Sequence, residues 1–532
     1  MKNTQLYDTT LRDGAQAESV SFSVTGKLKL AVRLDEFGID YIEGGFAGAN
    51  QKDISFFREV RRHEFRHAKV VAFGSTRRAR TRVQDDPFIK SILEAGTPVA
   101  TIFGKSWRLH VTDVLRTSLT ENLAMISDTC AFLKDQGKEM FFDAEHFFDG
   151  FKSDPEYAMK TLGAAVSAGA DMVVLCDTNG GSMPHEVFEI TRKVVEEIGA
   201  PVGIHTHDDS GLAVANSLEA VRAGAVQVQG TMNGYGERCG NANLCTLLPI
   251  LALKMDRKCH AANKLDKLRE VSLFVDDLVN LRPDSRAPFV GASAFTHKAG
   301  AHVNAVEKNP KSFEHIEPGK VGNERRVLLS EHSGSSSVLL KAVEMGLGKR
   351  TSREDMREIL KSLKELESKG YAFEAADASF RMLIQKVLKE HISFFELEGF
   401  RVIIEKRGKD DPCLSEATVK VKVGGEIEQT VAEGDGPVNA LDGALRKALL
   451  RFYPEVSDVF LTDFRVRILD PEEATAATTR VLIESGDGME TWGTVGVSEN
   501  VIEASWEALV DSVEYKLFRE EEKAGKRGRR KK

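Results

Sequence analysis

Over its first half the chain alternates short apolar runs with amphipathic stretches. The runs begin near Gln5, Tyr41, Lys69, Val99, Met140, Met172, Val202 and Ala225. Between them apolar positions recur at helical spacing, as over 24–37, 119–134, 155–168, 184–198 and 213–223. Eight strand-helix units in about 250 residues are the content of a parallel (β/α)8 TIM barrel. A doubly wound open sheet gives the same alternation, but usually with fewer strands and a phosphate-binding glycine turn after the first. The first turn here reads Arg-Asp-Gly-Ala-Gln and lacks that fingerprint.

Beyond about residue 256 the pattern turns helical, over 264–281, 336–345, 353–369 and 372–391. A polar segment, 289–326, interrupts it and carries His297, His302 and His315. The last part repeats one pattern. Strands over 401–406, 417–423 and 427–431 precede a helix over 438–450, and strands over 459–469, 479–484 and 490–497 precede a helix over 501–518. Such a duplicated β-β-β-α unit buries one face of its sheet under its helices. The predicted division is a catalytic barrel (1–280), helical connector subdomains (281–395), a C-terminal α+β regulatory domain (396–525) and a basic tail (526–532).

Composition narrows the classes. At 532 residues the chain is too long for one core, and 42% hydrophobic residues can fill several. A net charge of -8 argues against nucleic acid and anionic membrane as partners of the whole chain. The basic residues from Lys523 onward read as a frayed, solvated helix end rather than a nucleic-acid tether. Six cysteines without a Cys-x-x-Cys pair read as reduced thiols. With no apolar targeting run before the first strand and no membrane-length apolar stretch, the expectation is a soluble, cytoplasmic protein.

The barrel reading makes scattered motifs meet, because such barrels keep their active sites at the carboxyl ends of the strands. Arg12 and Asp13 are expected to end strand one, Glu145 strand five, Thr178 strand six, and His205 and His207 strand seven, with 233–241 following strand eight. His205 and His207, two apart on a strand, project to one side. Two imidazoles and the Asp13 carboxylate are a usual set for a divalent metal. The duller alternative is a buried histidine pair satisfied by Asp208 and Asp209. Asn241 either supplies a fourth, oxygen ligand or caps the next helix. Arg12 offers a fork for the carboxylate of a ligand, so metal plus arginine suggests an oxo-acid site. Glu145, within an apolar run, is either a general acid or base with a raised pKa or a structural partner of Arg12. No lysine ends strand six, where Cys176-Asp177-Thr178-Asn179 stands, which disfavours Schiff-base chemistry. His302 either reaches over the barrel mouth, in its own or a partner subunit, or is a surface histidine.

These residues resemble the family of 2-isopropylmalate, homocitrate and citramalate synthases over nearly the whole chain. The similar motifs are Leu-Tyr-Asp-Thr-Thr-Leu-Arg-Asp-Gly-Ala-Gln from Leu6, His-Thr-His-Asp-Asp-Ser-Gly-Leu-Ala from His205, Asn-Gly-Tyr-Gly-Glu-Arg-Cys-Gly-Asn-Ala from Asn233, and Gly-Asp-Gly-Pro-Val-Asn-Ala-Leu-Asp from Gly434. The opening Leu-Tyr-Asp-Thr-Thr, Ile-Glu-Gly-Gly from Ile42, His297-Lys298 and Glu-His-Ile from Glu314 are most similar to the citramalate branch. The resemblance implies condensation of acetyl-CoA with pyruvate and water to (R)-citramalate and CoA, in isoleucine synthesis. It implies Asp13, His205, His207 and Asn241 on a divalent metal (Mn, Mg or Zn), Arg12 and Thr178 on pyruvate, and Glu145 and His302 as acid and base.

Three positions depart from the family pattern. After strand two, where the family often has Gly-Gly-Trp-Pro-Gly, Phe46-Ala47-Gly48 follows the two glycines, Phe313 stands where a tyrosine is common, and Val303-Asn304-Ala305 replaces Gln-Asp-Gly. The duplicated unit resembles the family's allosteric domain, which implies an end-product amino acid, isoleucine, as effector. Asp435, Gly436 and Pro437 lead into a helix whose N-terminus could receive its carboxylate, or else they only shape a turn. A domain of this kind usually pairs about a two-fold axis, which predicts a homodimer. The competing readings are a sister synthase with a larger 2-oxo acid, a metal-dependent lyase on the same barrel, and an amino-acid sensor with a decayed barrel. The first two differ from the leading one in pocket size and in needing no C-terminal domain.

Overall fold

The structure, a computed structural model, describes residues 3–48, 50–297, 300–327, 352–373, 376–469 and 477–530. The chain forms two compact units, Met1–Phe295 with Ile316–Arg325, and Thr296–His315 with Arg326–Lys532.

In the first unit, strands β1 (Gln5–Asp8), β2 (Tyr41–Phe46), β3 (Lys69–Ser75), β4 (Val99–Lys105), β5 (Glu139–Glu145), β6 (Met172–Asp177), β7 (Val202–Thr206) and β8 (Gln227–Gly230) pair in sequence order. Every pairing is parallel, and β1 closes on β8 from Gln5↔Gln227 to Asp8↔Gly230. Neighbouring residues on a strand serve opposite faces. Tyr7, Tyr41, Val71, Val99 and Phe141 fill the barrel interior, while their neighbours Leu6, Ile42, Ala72, Ala100 and Phe142 pack outward under the helices. The helices start on side chains that take the first free N–H groups: Ser23 from Gly26, Ser118 from Glu121, and Asp154, followed by Pro155, from Tyr157. Gly38 ends the first of them in the left-handed region, where a Cβ would stand 2.7 Å from the His260 ring.

Strand β1 stops earlier than the apolar pattern suggested. The Thr9 carbonyl accepts the N–H groups of Arg12, Asp13 and Gly14, so the chain turns and both functional candidates sit in the loop after the strand. His207 likewise lies one residue beyond β7, bridged to Asn241.

In the second unit, β9 (Thr296–His297) pairs with β10 (Arg326–Val327). Antiparallel β11 (Glu396–Glu405), β12 (Leu414–Val423) and β13 (Glu426–Gly434) precede the helix Pro437–Leu449. Antiparallel β14 (Phe460–Ile468), β15 (Thr479–Gly486) and β16 (Thr491–Ser498) precede the helix Val501–Arg530. The two repeats share one core, in which Val419, Val421, Leu441 and Leu445 meet Val481, Ile483, Leu509 and Val513. The helices Arg353–Ser368 and Asp377–Val387 join through Ile359, Leu363, Phe380 and Ile384. The helix expected over 336–345, and Lys298, lie outside the described residues. Among the described residues no helix is long and apolar enough to cross a membrane.

Candidate active site

Asp13, His205 and His207 converge at the carboxyl end of the barrel. One ligand atom from each lies within 4.8 Å of the others, and all three residues are buried. Asp13 Oδ2 is 3.3 Å from His205 Nε2, which is 3.3 Å from His207 Nε2. Burial works against the Asp13 charge, but Arg12 and His205 overcome it and hold the carboxyl well below the usual range. Burial likewise opposes a charge on His205, yet the Asp13 hydrogen bond and charge raise its pKa. For His207, burial and the neighbouring His205 push the pKa down to about 3, so its ring is a neutral lone-pair donor.

Asn241 reaches the same point, but with its nitrogen. Nδ2 donates to Asp13 Oδ2 at 2.9 Å and lies 3.3 Å from His205 Nε2. Its Oδ1 is buried with no hydrogen-bond partner among the described residues. A half-turn of the amide brings that oxygen to the donor set. The capping role falls to Asn243, whose side chain accepts the Cys245 N–H. Two imidazole lone pairs, a carboxylate and an orphaned amide oxygen in one buried spot fit a divalent cation.

Arg12 is clamped by a residue that sequence reasoning left unassigned. Its Nε donates to Glu43 Oε1 at 2.5 Å, Nη1 stands 3.4 Å from Asp13, and the guanidinium lies 3.9 Å over the Phe73 ring. Glu43 is fully buried on β2 and also accepts from the Tyr7 hydroxyl at 2.5 Å. The structural partner of Arg12 is therefore Glu43, not Glu145. Glu145, the last residue of β5, pairs instead with Lys105, its register partner at the end of β4. A cation, not an apolar wall alone, is the neighbour of this carboxylate. Thr178, just after β6, accepts the His146 N–H at 2.9 Å, and its carbonyl accepts from Arg238, which Asp209 holds bidentately.

Arg12, Asp13, Glu145, Thr178, His205, His207 and Arg238 line one cavity of 730 Å³ with the rings of Phe46, Phe73 and Phe103 on its wall. Asp143 also lines it, two residues before Glu145, its carboxyl raised to about 7 by burial and by the Glu43 charge. Of the missed residues Glu43, Lys105, Asp143 and Gln229, Glu43 carries the clearest signal, as the one charged side chain in the otherwise apolar β2. Strand parity would have aimed Glu43 and Asp143 inward, with Tyr41 and Phe141.

His302 belongs to the other unit. It lies on the helix Gly300–Lys308 and stacks on Phe313 at 4.1 Å, while His297 pairs with Glu314 at 3.2 Å. In the C-terminal domain, Gly436 is the residue before the helix Pro437–Leu449, and the Asp435 N–H donates to Asn439.

Residues 3–275 match the HMGL-like family, 289–371 the homocitrate synthase post-HMGL domain-like family, and 374–517 the LeuA allosteric (dimerisation) domain. The (R)-citramalate synthase of Geobacter sulfurreducens is 55% identical over 99% of both chains. That of Synechocystis is 53% identical over 96% of both. Among solved structures, the HMG-CoA lyase of Bacillus subtilis aligns with a TM-score of 0.47 and 20% identity, covering 54% of this chain and 97% of that one.

Proposed function

The chain belongs to the citramalate synthase branch of the 2-isopropylmalate and homocitrate synthase family and is an enzyme of acyltransferase type, and from that premise we propose that it joins acetyl-CoA to pyruvate. Water then releases CoA and leaves (R)-citramalate, the route to isoleucine from pyruvate. The reading rests above all on the meeting of Arg12, Asp13, His205 and His207 at one barrel mouth, with Glu145 on the wall of the same cavity.

Arg12, fixed by Glu43, holds the pyruvate carboxylate with its free guanidinium edge, and Thr178 assists. Glu145 takes a proton from the acetyl methyl group, and the carbon so freed bonds to C2 of pyruvate, whose carbonyl becomes an alkoxide. The family resemblance assigns the proton for that alkoxide to His302, of this chain or of a second copy. A divalent cation, Mn, Mg or Zn, held by Asp13, His205, His207 and Asn241 would supply a Lewis acid for the oxo-acid carbonyl. The buried walls keep the acetyl-CoA carbanion equivalent from being quenched by bulk water. In the C-terminal domain, Asp435, Gly436 and Pro437 lead into a helix N-terminus suited to an amino-acid carboxylate, and isoleucine is the effector we assign to it. The enzyme acts in the cytoplasm as a homodimer.

CoA release should be followed with pyruvate, 2-oxoisovalerate and 2-oxoglutarate in parallel. Release with pyruvate alone, suppressed by isoleucine, is the expected pattern; a larger oxo acid turned over in preference to pyruvate would move the enzyme to a sister synthase.

A further inference from the structure

We propose that Gln229 is a positioning residue: held by Asp143, it fixes the proton of His205 on Nδ1 and so keeps Nε2 directed at the cation site. The inference rests on the metal reading of Asp13, His205 and His207 given above.

The three residues sit side by side inside the barrel. Gln229 on β8 is the register partner of His205 on β7, and all three side chains are buried, with Gln229 0% and Asp143 3% exposed. Gln229 Oε1 lies 3.0 Å from His205 Nδ1, and Gln229 Nε2 lies 3.3 Å from Asp143 Oδ1. An amide is ambivalent, able to accept at one end and donate at the other. A carboxylate is not. Above about pH 7 the Asp143 carboxyl is ionised and can only accept, so the amide turns its NH2 group to Asp143 and its carbonyl oxygen to His205. A carbonyl oxygen cannot donate, so the imidazole must offer Nδ1–H. The opposite tautomer would set two lone pairs against each other at 3.0 Å in a buried place, too close for a water to stand between them.

The consequence falls on the other ring nitrogen. Whether the ring is neutral or an imidazolium, Nδ1 carries a proton pinned to Gln229, so a cation has only the Nε2 proton to displace. The same contact sets the plane of the ring, and with it the direction of the Nε2 lone pair toward Asp13 Oδ2 and His207 Nε2. Gln229 touches neither Asp13 nor His207 in any hydrogen bond; it acts through His205 alone.

The test is calorimetric titration of the metal-free full-length protein with Mn2+, without substrates. Gln229→Met keeps the length and bulk of the side chain but removes the acceptor, and should weaken Mn2+ binding roughly 10- to 100-fold. Gln229→Glu keeps an oxygen against Nδ1 and, with its other oxygen sharing a proton with the Asp143 carboxyl, should bind close to the wild type or tighter. Thermal unfolding of the metal-free variants reports packing separately. If Gln229→Met does not fold, Gln229→Asn, whose amide is one methylene too short to reach Nδ1, carries the same prediction. Equal affinity in Gln229→Met and wild type overturns the inference, as does equal weakening in Gln229→Met and Gln229→Glu, which would mark Gln229 as barrel packing. Failure of the wild type itself to bind Mn2+ would instead overturn the metal reading.

Discussion

Glu145 is the residue on which the proposed proton abstraction depends, and its neighbours fit that task. The Lys105 ammonium pairs with its carboxylate, and the pair sits at the ends of adjacent strands, on the wall of the cavity that Arg12 and Asp13 also line. Glu145→Gln keeps the shape but cannot accept a proton, so kcat should fall by about 10²- to 10⁴-fold with the KM for pyruvate little changed. A large rise in KM without loss of kcat would assign Glu145 to binding. Arg12 makes a different prediction. Arg12→Lys loses the contact to Glu43 and one edge of the planar fork, so kcat/KM for pyruvate should drop by roughly 10²- to 10³-fold while the KM for acetyl-CoA stays near its original value. Gly236 tests the cation site from the loop side. A Cβ there would stand 1.9 Å from Asn241 Oδ1, so Gly236→Ala must displace the Asn241 amide and should weaken Mn2+ binding by roughly 10-fold, measured by titration.

At the scale of elements, hydrophobic periodicity carried most of the reading. Seven of the eight barrel runs began within one residue of the observed strands, and Ala225 preceded β8 by two, because strands buried on both faces are nearly continuous apolar runs. The duplicated β-β-β-α pattern was legible for the complementary reason: β12 alternates buried residues with half-buried or exposed ones, and β15 does so through its first six residues. What periodicity could not supply was the course of the chain beyond a strand, so Arg12 and Asp13 were set on β1 rather than in the turn gathered by the Thr9 carbonyl. Nor could it supply partners. Nothing within their own strands shows what Glu43, Lys105, Asp143 and Gln229 touch, and only the pairing of neighbouring strands in the closed barrel brings Glu43 to Arg12, Lys105 to Glu145 and Gln229 to His205. One turn element is held by charge. The Asp487 carboxylate between β15 and β16 is enclosed, and although burial opposes its charge, Lys516 and the N–H groups of Glu490 and Met489 hold its pKa below the ordinary 3.8. A carboxyl lowered on folding stabilises above its unfolded pKa and loses that contribution as pH falls through the folded one. The melting-temperature gap between wild type and Asp487→Asn should therefore be widest near neutrality and close as pH drops below about 4. A gap independent of pH would show that packing, not charge, holds the hairpin.

For the whole molecule, the match of residues 374–517 to a dimerisation domain fits the surface of its two sheets. One side of each is covered by helices, yet Ile404, Ile427, Phe460 and Ile468 remain 56, 54, 47 and 54% exposed. Apolar rows of this kind mark interaction surfaces. Light scattering on the full chain should give twice the mass of one chain, and Ile404→Asp with Ile468→Asp should shift it toward one. A single-chain mass for the wild type would remove the dimer from the account. Condensation of acetyl-CoA with pyruvate at the Asp13, His205 and His207 site stands or falls on CoA release followed with these two substrates before chelation, after it, and after Mn2+ is restored. Wild type should give release, silence and recovery, with Asp13→Ala silent throughout at the same Mn2+ concentration; undiminished release from the chelated enzyme, or an active Asp13→Ala, would rule out a cation-dependent condensation at this site.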